Sequence, residues 1–215
     1  MSPLAPDRPA LLLHPLCAAV VGVVAERGYA EARVEEMLDR ARVGREEWDR
    51  LFTDKADAVL RVFEGYAEEF KRQVWQAFLA APRWPDNLRA AAWQMVTLIE
   101  AYPEAYRFAV WRILEAGEMA RLRRDELFAW CASLVDAGRA VCPDPAAVPG
   151  AAPMIATGAA VEALTRHAAG EIDRCPAEML PALMYGAVRP YLGEEAARAE
   201  LGRDARGSGG LALAQ

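Results

Sequence analysis

The chain has 215 residues, of which 54% are hydrophobic and 26% are charged. This balance supports a buried globular core, and the length allows either one large domain or a small head on a larger body. The formal net charge of −6 excludes the overall basic character that is typical of nucleic-acid binders, although a small basic face remains compatible with DNA binding. Alanine, leucine, glutamate and arginine are abundant, which predicts an all-helical fold.

Four cysteines lie far apart in the sequence: Cys17, Cys131, Cys142 and Cys175. Their spacing fits neither a zinc site nor the disulfide framework of a small secreted domain, so we expect reduced and mostly buried thiols. The apolar segment 10–13 is too short to cross a membrane and lacks the basic region of a signal peptide. We therefore expect a cytoplasmic protein with no membrane contact, no bound metal and no cofactor.

The first predicted helices are short. Residues 2–9 contain three prolines and are expected to form an irregular arm. A first helix is predicted from position 11 or 15 to Arg27, with Gly28 as a left-handed C-terminal cap. A second helix is predicted over roughly 33–40, because its apolar residues recur at the spacing of one helical stripe.

A glycine-containing break at residues 42–44 precedes a third short helix, predicted near residues 45–52. A long fourth helix is predicted from about Lys55 to Ala80, with Thr53 or Asp54 as its N-cap. Two short helices joined by a turn of three to four residues that contains glycine are typical of a helix-turn-helix. In that motif the second helix lies across the DNA backbone and the third enters the major groove with its N-terminal residues foremost.

The rest of the chain predicts longer and more apolar helices, several of which begin at a proline, where a first helical turn tolerates it. These helices are predicted near Asp86–Ala101, Pro103–Glu115, Glu118–Val141, Pro153–Ala169 and Pro176–Tyr191. Residues 202–215, which include a glycine- and serine-rich run, are expected to form a disordered tail.

Several segments of the head resemble one family of regulators. Residues 23–29, with the sequence Val-Val-Ala-Glu-Arg-Gly-Tyr, and residues 34–41 are similar to the first and second helices of the TetR family. Residues 42–45 occupy the position of the family's turn, and Phe52 and Lys55 match the phenylalanine and lysine that close its motif. Later segments, residues 115–118 and 190–196, also resemble some branches of the family.

The resemblance implies a helix-turn-helix DNA-binding domain over residues 10–56 and a helical effector-binding and dimerisation domain over residues 57–201. It further implies a regulator, most often a repressor, that binds a palindromic double-stranded DNA operator as a homodimer. A small hydrophobic effector of unknown identity would bind the second domain and release the operator.

The head departs from the family pattern at its DNA-facing positions. Arg33 stands where the family has a capping threonine, Arg42 replaces its turn glycine, Gly44 its serine and Asp49 a tyrosine. Residues 1–65 hold nine basic and twelve acidic residues, a net charge of −3, which weakens attraction to phosphates. Nevertheless, a glutamate can accept a hydrogen bond from cytosine N4, and arginines near the turn can supply phosphate contacts. The DNA contacts are expected from Arg33, Arg42, Gly44, Arg45, Glu46, Asp49, Arg50 and Lys55.

A second interpretation of the acidic head is that it no longer binds DNA and that the protein acts through a protein partner. Weak or absent DNA binding at low salt, where phosphate attraction is strongest, would favour this alternative. An enzyme is not expected, because the adjacent carboxylates at 125–126 and 194–195 have no accompanying base or nucleophile. His14 and His167 have no third ligand at metal-binding spacing.

The predicted body contains two further candidate sites. Large apolar side chains suited to a pocket between helices are Trp75, Phe78, Trp93, Phe108, Trp111, Phe128, Trp130 and Met154. The resemblance implies dimerisation through the last two helices, where small residues permit close approach and an apolar face recurs at helical spacing. The residues expected in this interface are Gly158, Ala159, Val161, Leu164, Met179, Leu183, Met184 and Val188.

Overall fold

The computed structural model describes residues 14–203. Within this range the regular structure is entirely helical, which confirms the predicted all-helical fold. The α-helices are α1 (Pro15–Arg27), α2 (Val34–Ala41), α3 (Arg45–Leu51), α4 (Lys55–Ala80), α5 (Asp86–Ala101), α6 (Pro103–Val110), α7 (Glu118–Asp136), α8 (Ala152–Ala168) and α9 (Pro176–Leu201). Three short 3-10 helices span Arg112–Ala116, Ala137–Val141 and Pro145–Ala147. The predicted arm at residues 2–9 and most of the predicted tail lie outside the described residues.

The chain forms two compact units. The first combines Met1–Phe70 with Tyr102–Glu126, and the second combines Lys71–Ala101 with Leu127–Gln215. Helix α4 therefore contributes its first part to one unit and its last turns to the other. The functional division into residues 10–56 and 57–201 stays a prediction.

Helix α1 is the central helix of the first unit and packs against α2 and α6. It begins at Pro15, whose missing N–H is harmless at that position, and the Nδ1 atom of His14 accepts a hydrogen bond from Leu16 N. Nine of its thirteen residues are buried, as expected for a helix that is apolar on most of its faces. Helix α4 begins as predicted, because the Asp54 carboxylate caps the amide of Asp57 at 2.8 Å.

The end of α1 differs from the predicted left-handed cap. Gly28 has a φ of 84° and a ψ of 162°, so it is extended with positive φ rather than left-handed helical. This region is open essentially to glycine alone. A Cβ atom at this position would also lie 3.0 Å from the Glu115 carboxylate.

Replacing Gly28 with alanine should therefore lower the free energy of unfolding by about 1–3 kcal/mol. Gly44→Ser is the matched control, because Gly44 has a φ of −83° and open space around its Cα. We expect the control to change stability by less than about 0.5 kcal/mol, since serine is an accepted N-cap residue. Urea denaturation of both variants measures the difference, and equal stabilities would contradict the strain at Gly28.

Helix α9 organises the second unit and packs against α5, α8 and the 3-10 helix Ala137–Val141. It extends to Leu201 rather than ending near Tyr191 as predicted. Gly193, with φ 80° and ψ −176°, interrupts the helical backbone. The helix resumes because residues 194–201 are rich in alanine and glutamate, which favour helix.

Two other predicted helices end earlier than the sequence pattern indicates. Helix α6 ends at Val110 and α7 ends at Asp136, and each is followed by a 3-10 helix. The second of these 3-10 helices packs closely on its neighbour, since a Cβ atom on Gly138 would lie 2.7 Å from the indole of Trp84. The Trp84 ring also packs edge-on against Tyr191, with ring centroids 5.1 Å apart.

The thiols are free, but their burial is less uniform than predicted. Cys17 is buried, Cys131 and Cys142 are half-buried, and Cys175 is exposed. Cys175 lies outside the core because it forms the loop position just before α9. Burial raises the pKa of Cys17 to about 11 and that of Cys131 to about 12, so both stay protonated and poorly nucleophilic at neutral pH.

Candidate nucleic-acid interface

The turn between α2 and α3 is closed by an arginine in a conformation that favours glycine. Arg42 has a φ of 57° and a ψ of 43°, and it is the one non-glycine residue with positive φ among residues 14–203. Its amide and that of Val43 bond to carbonyls at the end of α2, which closes the helix. A left-handed conformation costs a residue with a Cβ atom about 1–2 kcal/mol. Gly44, the glycine that suggested the turn, has ordinary backbone angles.

Helix α3 is held in place by its apolar face. Trp48 is fully buried, and its ring packs edge-on against Phe52 with centroids 5.0 Å apart. Leu51 completes this buried face. Because these side chains point into the first unit, the polar face of α3 is exposed to solvent.

The charged residues of α3 largely neutralise one another. Arg45 Nε lies 2.9 Å from the Asp49 carboxylate, and Arg50 pairs with Glu47. Glu47 is also 2.9 Å from Nε2 of His14. The helix holds two arginines and three acidic residues, a net charge of −1. Although exposed ion pairs contribute little stability, these pairs reduce the acidic potential that DNA phosphates would meet.

His14 links the start of α1 to α3 through its two ring nitrogens. Its Nδ1 atom accepts from Leu16 N while Nε2 faces Glu47, an arrangement that fits the neutral ring. Burial, together with the positive charge of Arg50, lowers the pKa of His14 below its ordinary value. Between the two pKa values the folded state thus binds fewer protons than the unfolded state. The stability that His14 contributes is therefore fully present above the unfolded pKa, and it is lost as pH falls through the folded pKa.

His14→Asn should remove this part of the pH dependence while keeping a good N-cap. We expect the free energy of unfolding of the original protein to fall more steeply than that of the variant between about pH 7.5 and 5. Urea denaturation at a series of pH values measures both curves. Parallel curves would show that His14 does not titrate differently in the folded and unfolded chain.

The side chains of two arginines in the motif make no hydrogen bond or ion pair within the described part of the chain. Arg33 is the exposed N-cap of α2, without a side-chain capping bond, and Arg42 is exposed at the turn. Their guanidinium groups are available to an anion, and arginine suits phosphate because it donates in a planar fork. Among the predicted cationic DNA contacts of the first unit, their side chains have the fewest competing interactions.

Lys55, another predicted DNA contact, is engaged inside the protein. Its Nζ atom donates to the carbonyl oxygens of Tyr29 at 2.8 Å and Ala32 at 3.0 Å. The same ammonium lies 4.5 Å from the centre of the Tyr29 ring. In this structure Lys55 therefore holds the turn between α1 and α2, and a phosphate contact would compete with these bonds.

Glu115 binds the same α1–α2 turn through the backbone amide of Tyr29. Its carboxylate accepts a hydrogen bond from Tyr29 N at 2.7 Å and pairs with Arg112 at 2.8 Å. Partial burial opposes ionisation, but the bonds from Arg112 and Tyr29 N bring the pKa of Glu115 below its ordinary value. In the sequence, residues 115–118 stand out only by their resemblance to a family segment. A residue 86 positions away from its partner gives no local signal of such a contact.

The predicted effector residues are divided between the two units and differ in burial. In the first unit Phe108 is fully buried and Trp111 is half-buried. In the second unit Phe78 is buried and stacks on Trp75 with ring centroids 5.3 Å apart. The other members in that unit are half-buried Trp93, Phe128 and Trp130, and Met154, which is 71% exposed. The effector site stays a prediction.

The predicted dimer residues also divide by exposure. Gly158 and Ala159 are exposed on α8, while Val161, Met179 and Leu183 are half-buried. Leu164, Met184 and Val188 are buried within the subunit. These three side chains fill the core of the second unit, because their faces of α8 and α9 point inward. The dimer interface stays a prediction.

A different set of exposed side chains lies on α8. Met154 and Ile155 are 71% and 68% exposed, and they precede Gly158 and Ala159 by one helical turn. The apolar solvent-facing side of α8 is thus formed by these four residues.

Two kinds of site are missing from the described range. Residues 14–203 contain no group of three or more histidine, cysteine, aspartate or glutamate side chains placed to hold a metal ion. None of the helices in the same range combines the length and apolarity that a membrane crossing needs.

Comparisons with known proteins connect the fold to bacterial regulators. The fatty acid degradation regulator FadR from Bacillus halodurans superposes with a TM-score of 0.69 at 15% identity, over 87% of this chain and 97% of that one. The transcriptional regulator FadR from Bacillus subtilis, solved in complex with stearoyl-CoA, gives 0.68 at 13% identity, over 83% and 97%. No family model and no curated protein matches the sequence. At these identities the similarity establishes the fold.

Proposed function

We propose that the chain is a DNA-binding transcriptional regulator, acting as a repressor, that binds a palindromic operator as a homodimer and is released by a small hydrophobic effector. The observation that carries this proposal is the α2–turn–α3 unit. Its α3 is anchored by Trp48 and presents a polar face. Arg33 and Arg42 lie at the two ends of α2, and their side chains make no hydrogen bond or ion pair within the described structure. A cytoplasmic location follows from this role.

The homodimer is supported by the exposed apolar side of α8. Large exposed side chains such as Met154 and Ile155 stand beside small ones at Gly158 and Ala159, which permits close packing of two helices. A two-fold axis makes such a surface self-complementary. It would place two α3 helices in successive major grooves, on the order of 34–36 Å apart.

The effector class is suggested by the structural neighbours. The Bacillus subtilis protein was solved with stearoyl-CoA, so a long-chain acyl-CoA is the first effector to test here. Release requires the effector to bind the DNA-incompatible conformation more tightly than the DNA-bound one. The Glu115 and Lys55 bonds to the α1–α2 turn offer a route by which a shift of the 3-10 helix Arg112–Ala116 would reach the head.

The test is binding of the purified protein to fluorescent DNA from upstream of its own gene, measured by anisotropy over a salt series. We expect saturable binding that exceeds binding to unrelated DNA at physiological salt and weakens as salt rises. Stearoyl-CoA should then lower the affinity for this DNA, while free coenzyme A and stearate serve as controls. Specific binding that no acyl-CoA changes would retain the DNA-binding proposal and reject this effector class.

The second candidate function is that of a helical regulator whose head binds a protein instead of DNA. The observation that favours it is the net charge of −1 on α3, with Asp49 exposed where DNA phosphates would lie. Absence of binding to the upstream DNA even at low salt, where phosphate attraction is strongest, would make this candidate the leading one.

A further inference from the structure

The three carboxylates of α3 are not equivalent. Glu47 lies between His14 and Arg50 and is half-buried. Asp49 pairs with Arg45 one turn earlier on the helix. Turning either carboxylate toward a DNA base would first require these pairs to separate.

Glu46 differs from both. It is exposed, it is the second residue of α3, and its side chain makes no hydrogen bond or ion pair with any described residue. The N-terminal residues of a recognition helix are the ones that reach base edges. Gly44, two positions earlier, has no side chain and open space around it, so nothing on that side screens Glu46 from an approaching groove.

The chemistry of a carboxylate restricts which base it can recognise. An ionised carboxylate only accepts hydrogen bonds. In the major groove guanine presents two acceptors and thymine an acceptor and a methyl group, whereas cytosine presents the N4 amino donor. Adenine has an amino donor but places the N7 acceptor beside it, which repels a carboxylate.

We propose that Glu46 is the specificity-determining carboxylate of α3 and that it accepts a hydrogen bond from cytosine N4 at one position in each operator half-site. The proposal rests on the proposed DNA-binding function. It gives an acidic residue a role on a face close to phosphates, because its carboxylate gains a hydrogen bond only when the correct base is present.

The experiment is selection of bound sequences from a randomised operator library by the full-length protein and three single variants. Glu46→Gln should change the preferred base at one position per half-site from cytosine to adenine, since glutamine pairs with adenine N6 and N7. We expect the ratio of affinities for the two bases at that position to change by at least about fivefold.

Glu35→Gln is the matched control. Glu35 is also exposed and is also the second residue of its helix, α2. Removing its charge should strengthen binding to all sequences without changing the preferred bases. Glu47→Gln, on α3 but engaged with His14 and Arg50, should likewise leave the preferred bases unchanged.

The outcomes separate the two proposals. Enrichment of a palindrome by the original protein, with the same preferred bases for Glu46→Gln, would overturn the role of Glu46 while DNA binding stands. A base change caused by Glu47→Gln instead would assign the contact to the other carboxylate and overturn it as well. No enrichment by the original protein would reject both proposals.

Discussion

Replacing Glu200 with alanine should lower the free energy of unfolding by about 3–5 kcal/mol, the range observed when one member of a buried ion pair is removed. Arg89 and Glu200 are each only 2% exposed, and Nε of Arg89 lies 2.9 Å from the Glu200 carboxylate. Without Glu200, the guanidinium of Arg89 would lose this carboxylate as a counter-ion in the core of the second unit. Water cannot replace that counter-ion in a buried site, so the cost is large.

The surroundings of the pair increase this cost. The same guanidinium donates to the Glu200 backbone carbonyl at 3.0 Å. Arg203 joins the Glu200 carboxylate at 3.0 Å and reaches Asp86 at 2.7 Å. This network fastens the C-terminal end of α9 to the start of α5, so its loss would also free the last turns of α9.

Urea denaturation tests the prediction, with Glu195→Ala as the matched control. Glu195 lies on the same helix and is exposed, so the control should stay within about 0.5 kcal/mol of the original protein. The double variant Arg89→Met/Glu200→Met should be more stable than either Arg89→Met or Glu200→Met, because no unpaired charge is left in the core. Equal stabilities of Glu200→Ala and Glu195→Ala would contradict this account.

The Arg89–Glu200 pair is a contact that could not be predicted from the sequence. The limits of α4 and α5 were predicted because capping residues and apolar periodicity are local signals, and the structure confirms them. Arg89 and Glu200 are separated by 111 positions, and Glu200 lies beyond the predicted end of the last helix near Tyr191. Only the packing of α5 against α9 brings them together, so no local pattern could have indicated the pair.

In the candidate interface, too, the helix positions could be predicted from the sequence, whereas the partners of the charged side chains could not. The positions of α2 and α3 were predicted from apolar residues at helical spacing and from a glycine-containing turn, and the structure has both helices there. The sequence could not reveal which charges were already engaged. Lys55 looked like a DNA contact but is bonded to backbone carbonyls of Tyr29 and Ala32. Exposure and partners depend on tertiary structure, and they are what separate Glu46 from Glu47.

Exchanging two arginines of the head for the residues typical of the resembled family should make the protein more stable and bind DNA more weakly. Arg42→Gly removes a side chain from a left-handed backbone position. It should stabilise the fold by up to about 1 kcal/mol, because the strain relieved exceeds the extra freedom of glycine in the unfolded chain. Arg33→Thr supplies the missing side-chain cap of α2 and should add a gain of about 1 kcal/mol.

The affinity for DNA should move in the opposite direction. Each exchange removes one cation that has no internal partner within residues 14–203, and each lost phosphate contact reduces the salt slope by about 0.9. At physiological salt this corresponds to about a fivefold loss per arginine and about thirtyfold for the double variant. The loss should be uniform across DNA sequences, since phosphate contacts carry no base information.

Anisotropy titrations over a salt series and urea denaturation of the same samples measure both effects. Arg27→Ala is the matched control, because Arg27 is an exposed arginine of the same head that pairs with Glu36. It adjoins the α1–α2 turn, which is bonded to Glu115 and Lys55. Because the guanidinium of Arg27 is already paired with Glu36, the control should weaken DNA binding by less than about twofold. A double variant that gains stability and keeps both its affinity and its salt slope would show that Arg33 and Arg42 do not contact the operator.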